Sequence, residues 1–148
     1  MIRVITLLAF LTVIFLCACG SNKITDSTLT VTVISNKGVH HVLKEVEIAD
    51  TPAKHEKGLM AREKLADNSG MLFIYKQPRA GAFWMKNTYI PLAIAFIDID
   101  GTIIDILHGK PQDVTLLTPS HPYLTVLEVN EGWFSSRDIF VGSTINWE

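Results

Sequence analysis

Six side chains carry most of the chemistry this sequence can offer: Arg62, Trp84, Lys86, Asn87, Asp98 and Glu128. Lys86 ends an aromatic run, where an ammonium can meet an anion, and Asn87 and Thr88 add directional hydrogen bonds. Together the six would line a ligand-binding face that takes a small anionic ligand or an envelope protein. The alternative is structural: Asn87 and Thr88 close backbone hydrogen bonds in a turn before Pro91, and Lys86 pairs with a carboxylate. A second alternative is a periplasmic hydrolase with Lys86 and Asp98 as an acid–base pair, marked by a Lys pKa drawn toward neutrality through burial.

Asp98-Ile99-Asp100-Gly101-Thr102 follows an apolar run and resembles the first motif of haloacid-dehalogenase-type phosphatases, in which the first Asp is the nucleophile and the second the general acid and base. That motif works only in a parallel α/β sheet, with a distant Lys and further carboxylates around Mg²⁺. Only 46 residues follow Thr102, too few for those parts. The same residues suit a hairpin, with Asp100-Gly101 at two positions of positive φ. His40 and His41 are neighbours on an expected strand and point to opposite faces. His55, His108 and His121 lack ligand spacing, so no metal site is expected. No Gly-rich phosphate loop or serine elbow is present, and no cofactor is expected.

Cys17 and Cys19 are the only cysteines. Met1-Ile2-Arg3 is a short positive segment, and Val4 to Leu16 is apolar except for Thr6 and Thr12. This run has the length of a signal-peptide core and is short of the ~20 residues that a spanning helix needs. Leu16-Cys17-Ala18-Cys19 then resembles the lipobox of bacterial lipoproteins. Residues 1–18 are therefore expected to be a cleaved signal peptide, with Cys19 lipidated and residues 19–27 a polar tether. Cys17 is the weaker acceptor, because Leu16 would then stand where a small residue is needed. Acyl chains contribute ~0.8 kcal/mol per buried methylene, so two or three hold a protein on a membrane where one does not. Gly20 and Ser21 after the cysteine favour the outer membrane if the cell has one, with the domain facing the periplasm or the exterior. A mature chain would then hold no free thiol for disulfides, metal or nucleophilic catalysis.

Residues 28–148 are long enough for one domain with a real core. The 48% hydrophobic and 19% charged composition is globular. Thirteen Lys and Arg against 15 Asp and Glu give a net charge of −2, and loss of Arg3 with the signal makes it −3. That balance leaves no electrostatic footprint for nucleic acid.

Alternation marks strands at Leu29–Ile34 and Val39–Ala49, and short apolar or aromatic runs mark Met71–Tyr75, Ala82–Met85 and Ile94–Ile99, with further strands at Thr102–Leu107, Tyr123–Asn130 and Thr144–Trp147. Thr51-Pro52 starts a helix expected to run to about Met60 despite Gly58. Strands at this spacing with one or two short helices predict a mainly β fold, barrel or sandwich. Trp133-Phe134 reads as an aromatic pair that plugs the end of such a barrel, or, if exposed, touches a membrane or a partner.

Four blocks carry a family resemblance. They are Gly58-Leu59-Met60-Ala61-Arg62 with Leu65; Gly70-Met71-Leu72-Phe73; Trp84 to Thr88 with Ile90-Pro91-Leu92 and Ile94 to Asp98; and Leu127 to Asn130 with Gly132 and Val141-Gly142-Ser143. In this order, from Val46 to Trp147, they resemble the family called domain of unknown function 192. The resemblance implies a compact β-barrel-like domain, often secreted, with no assigned activity. Members commonly carry Asp where this chain has Ala93, which withdraws a carboxylate from any mechanism that needs it. The expectation is thus a membrane-tethered envelope lipoprotein whose β domain binds a ligand or partner without catalysis.

Overall fold

The computed structural model describes residues 28–148, so the signal peptide, Cys19 and the 19–27 tether lie outside the described residues. Seven strands form one sheet: β1 (Thr28–Ile34), β2 (His40–Ala49), β3 (Ser69–Arg79), β4 (Leu92–Ile97), β5 (Ile103–Gly109), β6 (Tyr123–Asn130) and β7 (Thr144–Trp147). Their order is β5-β4-β6-β3-β2-β1-β7. The sheet is mainly antiparallel and curls into a barrel-like shape without closing. Its two edges meet at one bridge, Thr102 to Thr144. The Ile145 N–H donates to the Gly101 carbonyl at 2.8 Å and the Ile103 N–H to that of Ser143 at 2.8 Å.

One pair is parallel, β2 with β3. Parallel neighbours cannot be joined by a hairpin, so the chain must cross over between them. Residues 50–68 make that crossover and carry the one α-helix among the described residues, α1 (Pro52–Lys57). Thr51 caps it by accepting the Lys54 N–H at 3.3 Å, with Pro52 at the first helical position, where its missing N–H costs nothing. The helix stops at Lys57, three residues before the expected end. Gly58 adopts φ 47° and ψ −137°, a conformation that a side chain resists, and turns the chain away.

Two cores lie on opposite faces of the sheet. All seven strands contribute to the inner one, which contains Val31, Leu43, Leu72, Ala95, Leu127 and Ile145, and Trp133, Phe134 and Ile139 fill it. The Trp133-Phe134 pair is therefore core, as its aromatic bulk favours. The outer core lies over β3, β6 and β4, where Phe73, Val126, Ile94 and Phe96 meet Leu59, Met85 and Ile90 from the connecting segments. Packed on both sides, β4 reads Leu-Ala-Ile-Ala-Phe-Ile with every residue buried, which explains why its sequence does not alternate.

Two sequence expectations change. Ala82–Met85 is not a strand but a single bridge between Phe83 and Leu117, leaving Trp84 largely exposed and Met85 buried. The β4–β5 hairpin has a three-residue loop, Ile99-Asp100-Gly101, in place of the two-residue turn with both φ positive. Gly101 alone in it takes positive φ, 81°. The Gly101 N–H reaches the Asp98 carbonyl at 3.3 Å and the Asp98 N–H that of Thr102 at 3.0 Å, a turn followed by a glycine bulge.

Candidate functional site

Strand β6 alternates across the sheet, so Leu127 and Val129 enter the inner core while Val126 and Glu128 face outward. The crossover then covers that outer face. Glu128 is consequently 5% exposed, at the floor of a slot of about 40 Å³. His55, Gly58, Leu59, Met60, Phe73, Phe83, Trp84 and Thr88 are among its walls. Gly58 forms part of the roof: a Cβ there would lie 3.9 Å from Glu128 Oε2 and 3.4 Å from the Phe73 ring. Among the described residues, the Glu128 carboxyl makes no hydrogen bond and no ion pair. Burial pushes its pKa up to about 8, partly opposed by the Arg62 charge. The group is thus mainly protonated at neutral pH, a buried acid able to donate or accept.

Arg62 approaches from the crossover and is held by Glu47 on β2 through two parallel bonds, Nη1 to Oε1 at 2.5 Å and Nη2 to Oε2 at 2.6 Å. The fork fixes its orientation. Ala61, at φ 60°, donates its N–H to the Asn87 carbonyl at 2.8 Å, which pins the crossover to the turn after Trp84. Asn87 takes φ 56°, a left-handed position that Asn tolerates. Thr88 is buried, its hydroxyl donating to the Lys86 carbonyl at 3.3 Å. Asn87 and Thr88 thus do backbone work while both border a concavity.

Trp84 is the common wall between the slot and a wider groove of about 340 Å³ lined by Ala53, Glu56, Lys57, Met60, Trp84, Lys86 and Asn87. Lys86 Nζ stands 5.2 Å from the Trp84 ring centroid, a cation–π contact at an exposed site. Behind the slot, His55 Nε2 lies 2.9 Å from the Ala49 carbonyl oxygen, and its ring sits 4.3 Å from that of Tyr75. Burial raises the Tyr75 hydroxyl well above its ordinary pKa, with Glu128 contributing.

Five of the six candidate side chains therefore surround one region: Trp84, Lys86 and Asn87 at the groove, Glu128 in the slot, and Arg62 just beyond Gly58 with Lys57. Asp98 is elsewhere. It sits at the β4–β5 hairpin, where Oδ1 accepts the Asp100 N–H at 3.0 Å and the Thr102 N–H at 2.8 Å. It lines neither the slot nor the groove, so Lys86 and Asp98 do not share a site. Ala93 faces the inner core, opposite the Glu128 face, so a carboxylate there would not reach the slot. Sequence reasoning missed Lys57, Met60, Phe73 and Phe83 as site walls. Gly58, inside an otherwise helical stretch, was the available signal.

A small mainly β domain with a crossover-covered slot on its outer face is the class that these features define. The chain belongs to the DUF192 family, domain of unknown function 192, described as an uncharacterized ACR, which it matches over residues 32–147. It is similar to a protein of Sinorhizobium meliloti 1021 described as a "putative transcription regulator", at 34% identity and TM-score 0.81, over 84% of this chain and 97% of that one. A protein of unknown function from Novosphingobium aromaticivorans DSM 12444 is similar at 39% identity and TM-score 0.75, over 80% and 84% of the two chains. None of the curated proteins matches the sequence significantly.

Proposed function

We propose that this chain is a membrane-tethered envelope lipoprotein whose β domain binds a small ligand carrying an anionic group at the Trp84–Glu128 concavity. One observation carries the reading: a buried carboxyl without a hydrogen bond at the floor of a slot that opens onto a groove with Lys57 and Lys86. No described protein group satisfies that carboxyl, so a ligand donor entering the slot meets an acceptor free to engage it. Binding is favoured over hydrolysis because Asp98, the expected partner of Lys86, is occupied by its own turn and lies outside the groove. The regulator description of the Sinorhizobium protein is not carried over, since a net charge of −2 offers no general attraction to nucleic acid.

Attachment through Cys19 rests on the Leu16-Cys17-Ala18-Cys19 box. It would leave the start of β1 within about 30 Å of the lipid even with the chain fully extended. Palmitate labelling tests it: Cys19→Ala should lose the label and Cys17→Ala should keep it, and the reverse result would move the anchor to Cys17. For ligand binding, Lys86→Met keeps the apolar stem and removes the charge. Its urea midpoint should stay within about 0.5 kcal/mol of the parent, while thermal shifts with small carboxylates and phosphate esters diminish. A drop of several kcal/mol with no difference in anion response would make Lys86 a scaffold residue.

A further inference from the structure

We propose that the slot beneath Gly58 receives a primary ammonium group, and that the ligand is a small zwitterion: its ammonium lodges against Glu128, and its acidic end reaches Lys57 and Lys86 in the adjoining groove. This rests on the ligand-binding reading above and names the chemistry of the ligand.

Size is the first argument. The slot, about 40 Å³, is far smaller than the adjoining groove of about 340 Å³, so the bulk of a ligand belongs in the groove. A small terminal group such as –NH₃⁺ or –OH is what the slot suits best. The lining is the second argument. Glu128 offers carboxyl oxygens that nothing else in the described fold engages. The Thr88 hydroxyl spends its proton on the Lys86 carbonyl and keeps lone pairs to accept with. Phe73, Phe83 and Trp84 supply aromatic wall beside Leu59 and Met60, and Glu56 and Lys57 also line the slot; aromatic rings attract a desolvated cation through their quadrupole. An anion in the same place would need Glu128 to stay protonated and would be repelled once that carboxyl ionises, whereas an ammonium is matched by the ionised form. The anionic end of the ligand therefore stays in the groove, where Lys57 and Lys86 line the wall.

The charged and titratable groups around Glu128 are compatible with this. Arg62 comes from the crossover and is already tied to Glu47 of β2. From α1 come His55, Glu56 and Lys57, all at the slot. Tyr75 approaches from β3 and is kept neutral by burial. Lys86 belongs to the groove. When the ammonium enters, Glu128 gives its proton to solvent and becomes the counter-ion, so the ligand exchanges for one proton. With the Glu128 pKa at about 8 in the empty site, affinity should climb roughly tenfold per pH unit below about 7 and level off above about 9.

The test uses the purified full chain in detergent and five probes: glycine, 4-aminobutyrate, 6-aminohexanoate, butylamine and butyrate. Calorimetric titrations at pH 6, 7 and 8.5, in two buffers of different ionisation enthalpy, report affinity and protons released. The expected result is that one amino acid of the series binds at least tenfold more tightly than butyrate, with affinity rising with pH, about one proton released at pH 6 and 7 and much less at pH 8.5. Glu128→Gln, checked for folding by circular dichroism, should bind at least tenfold more weakly and lose the pH slope. Butyrate binding as well as the amino acids would overturn the ammonium assignment while leaving the anion-binding reading standing. Undiminished binding by Glu128→Gln would overturn it too. If none of the five probes binds, both fall.

Discussion

Two carboxylates, Asp98 just past the end of β4 and Glu128 within the neighbouring strand β6, have opposite environments. Asp98 is half-buried and accepts two backbone N–H bonds from its own hairpin, Asp100 and Thr102. Glu128 is almost fully buried and makes no hydrogen bond among the described residues. In the sequence Asp98 looks the more chemical of the two, since it opens a phosphatase-like motif, while Glu128 is one polar residue in an apolar strand. The fold reverses that ranking. A carboxylate that satisfies its own turn has little left to offer a substrate. One that is buried without a partner is held in an unfavourable state by the surrounding structure, and such groups concentrate at functional sites.

The largest expected effect is on Glu128. Burial raises its pKa from 4.5 to about 8, so the folded protein keeps a proton that the unfolded chain has already lost. Its contribution to stability is fully present below about pH 4.5 and is lost as pH rises to about 8. Glu128→Gln should match the parent near pH 5 and exceed it at pH 9 by a few kcal/mol, an order-of-magnitude figure from the size of the shift. Urea midpoints at pH 5, 7 and 9 measure this, and parallel profiles for the two proteins would remove the contrast with Asp98. Asp98→Ala comes next. Loss of the acceptor for two turn N–H groups should cost about 1–2 kcal/mol, visible in the urea midpoint, with ligand binding at the groove unchanged. A loss of binding without a loss of stability would bring Asp98 back into the functional face. The smallest effect belongs to Asp100→Asn. Asp100 is exposed and outside the positive-φ set, so the midpoint should shift by less than about 0.5 kcal/mol. Mg²⁺-dependent phosphatase activity that disappears in this variant would contradict the turn role.

Much of the fold was legible because its cause is local. Tyr123–Asn130 and Thr144–Trp147 have the bounds expected from the sequence, and Thr51-Pro52 opens α1 as capping chemistry requires. The misreadings have local causes as well. Gly58 ended the helix early by adopting a backbone conformation that composition does not reveal, and the Ala82–Met85 aromatic run found one bridge partner, Leu117, rather than a strand. The site was legible only in part. Arg62, Trp84, Lys86, Asn87 and Glu128 stood out by residue type, but Phe73 and Phe83 read as ordinary core, which they also are.

By itself, then, the sequence determined the strands, the helix start, the family and the acidic balance, because each depends on neighbouring side chains or on composition. It also carries the cysteine box on which the proposed anchor depends. Only the tertiary structure decided which polar residues share a site. The parallel pairing of β2 and β3 forces the chain to cross the outer face of the sheet, and that crossover, tied down by the Ala61–Asn87 bond, sets Gly58 over Glu128. A residue 70 positions away in the chain thereby narrows the carboxyl's access to water. Burial between distant segments is a property of topology, and no window along the chain contains it.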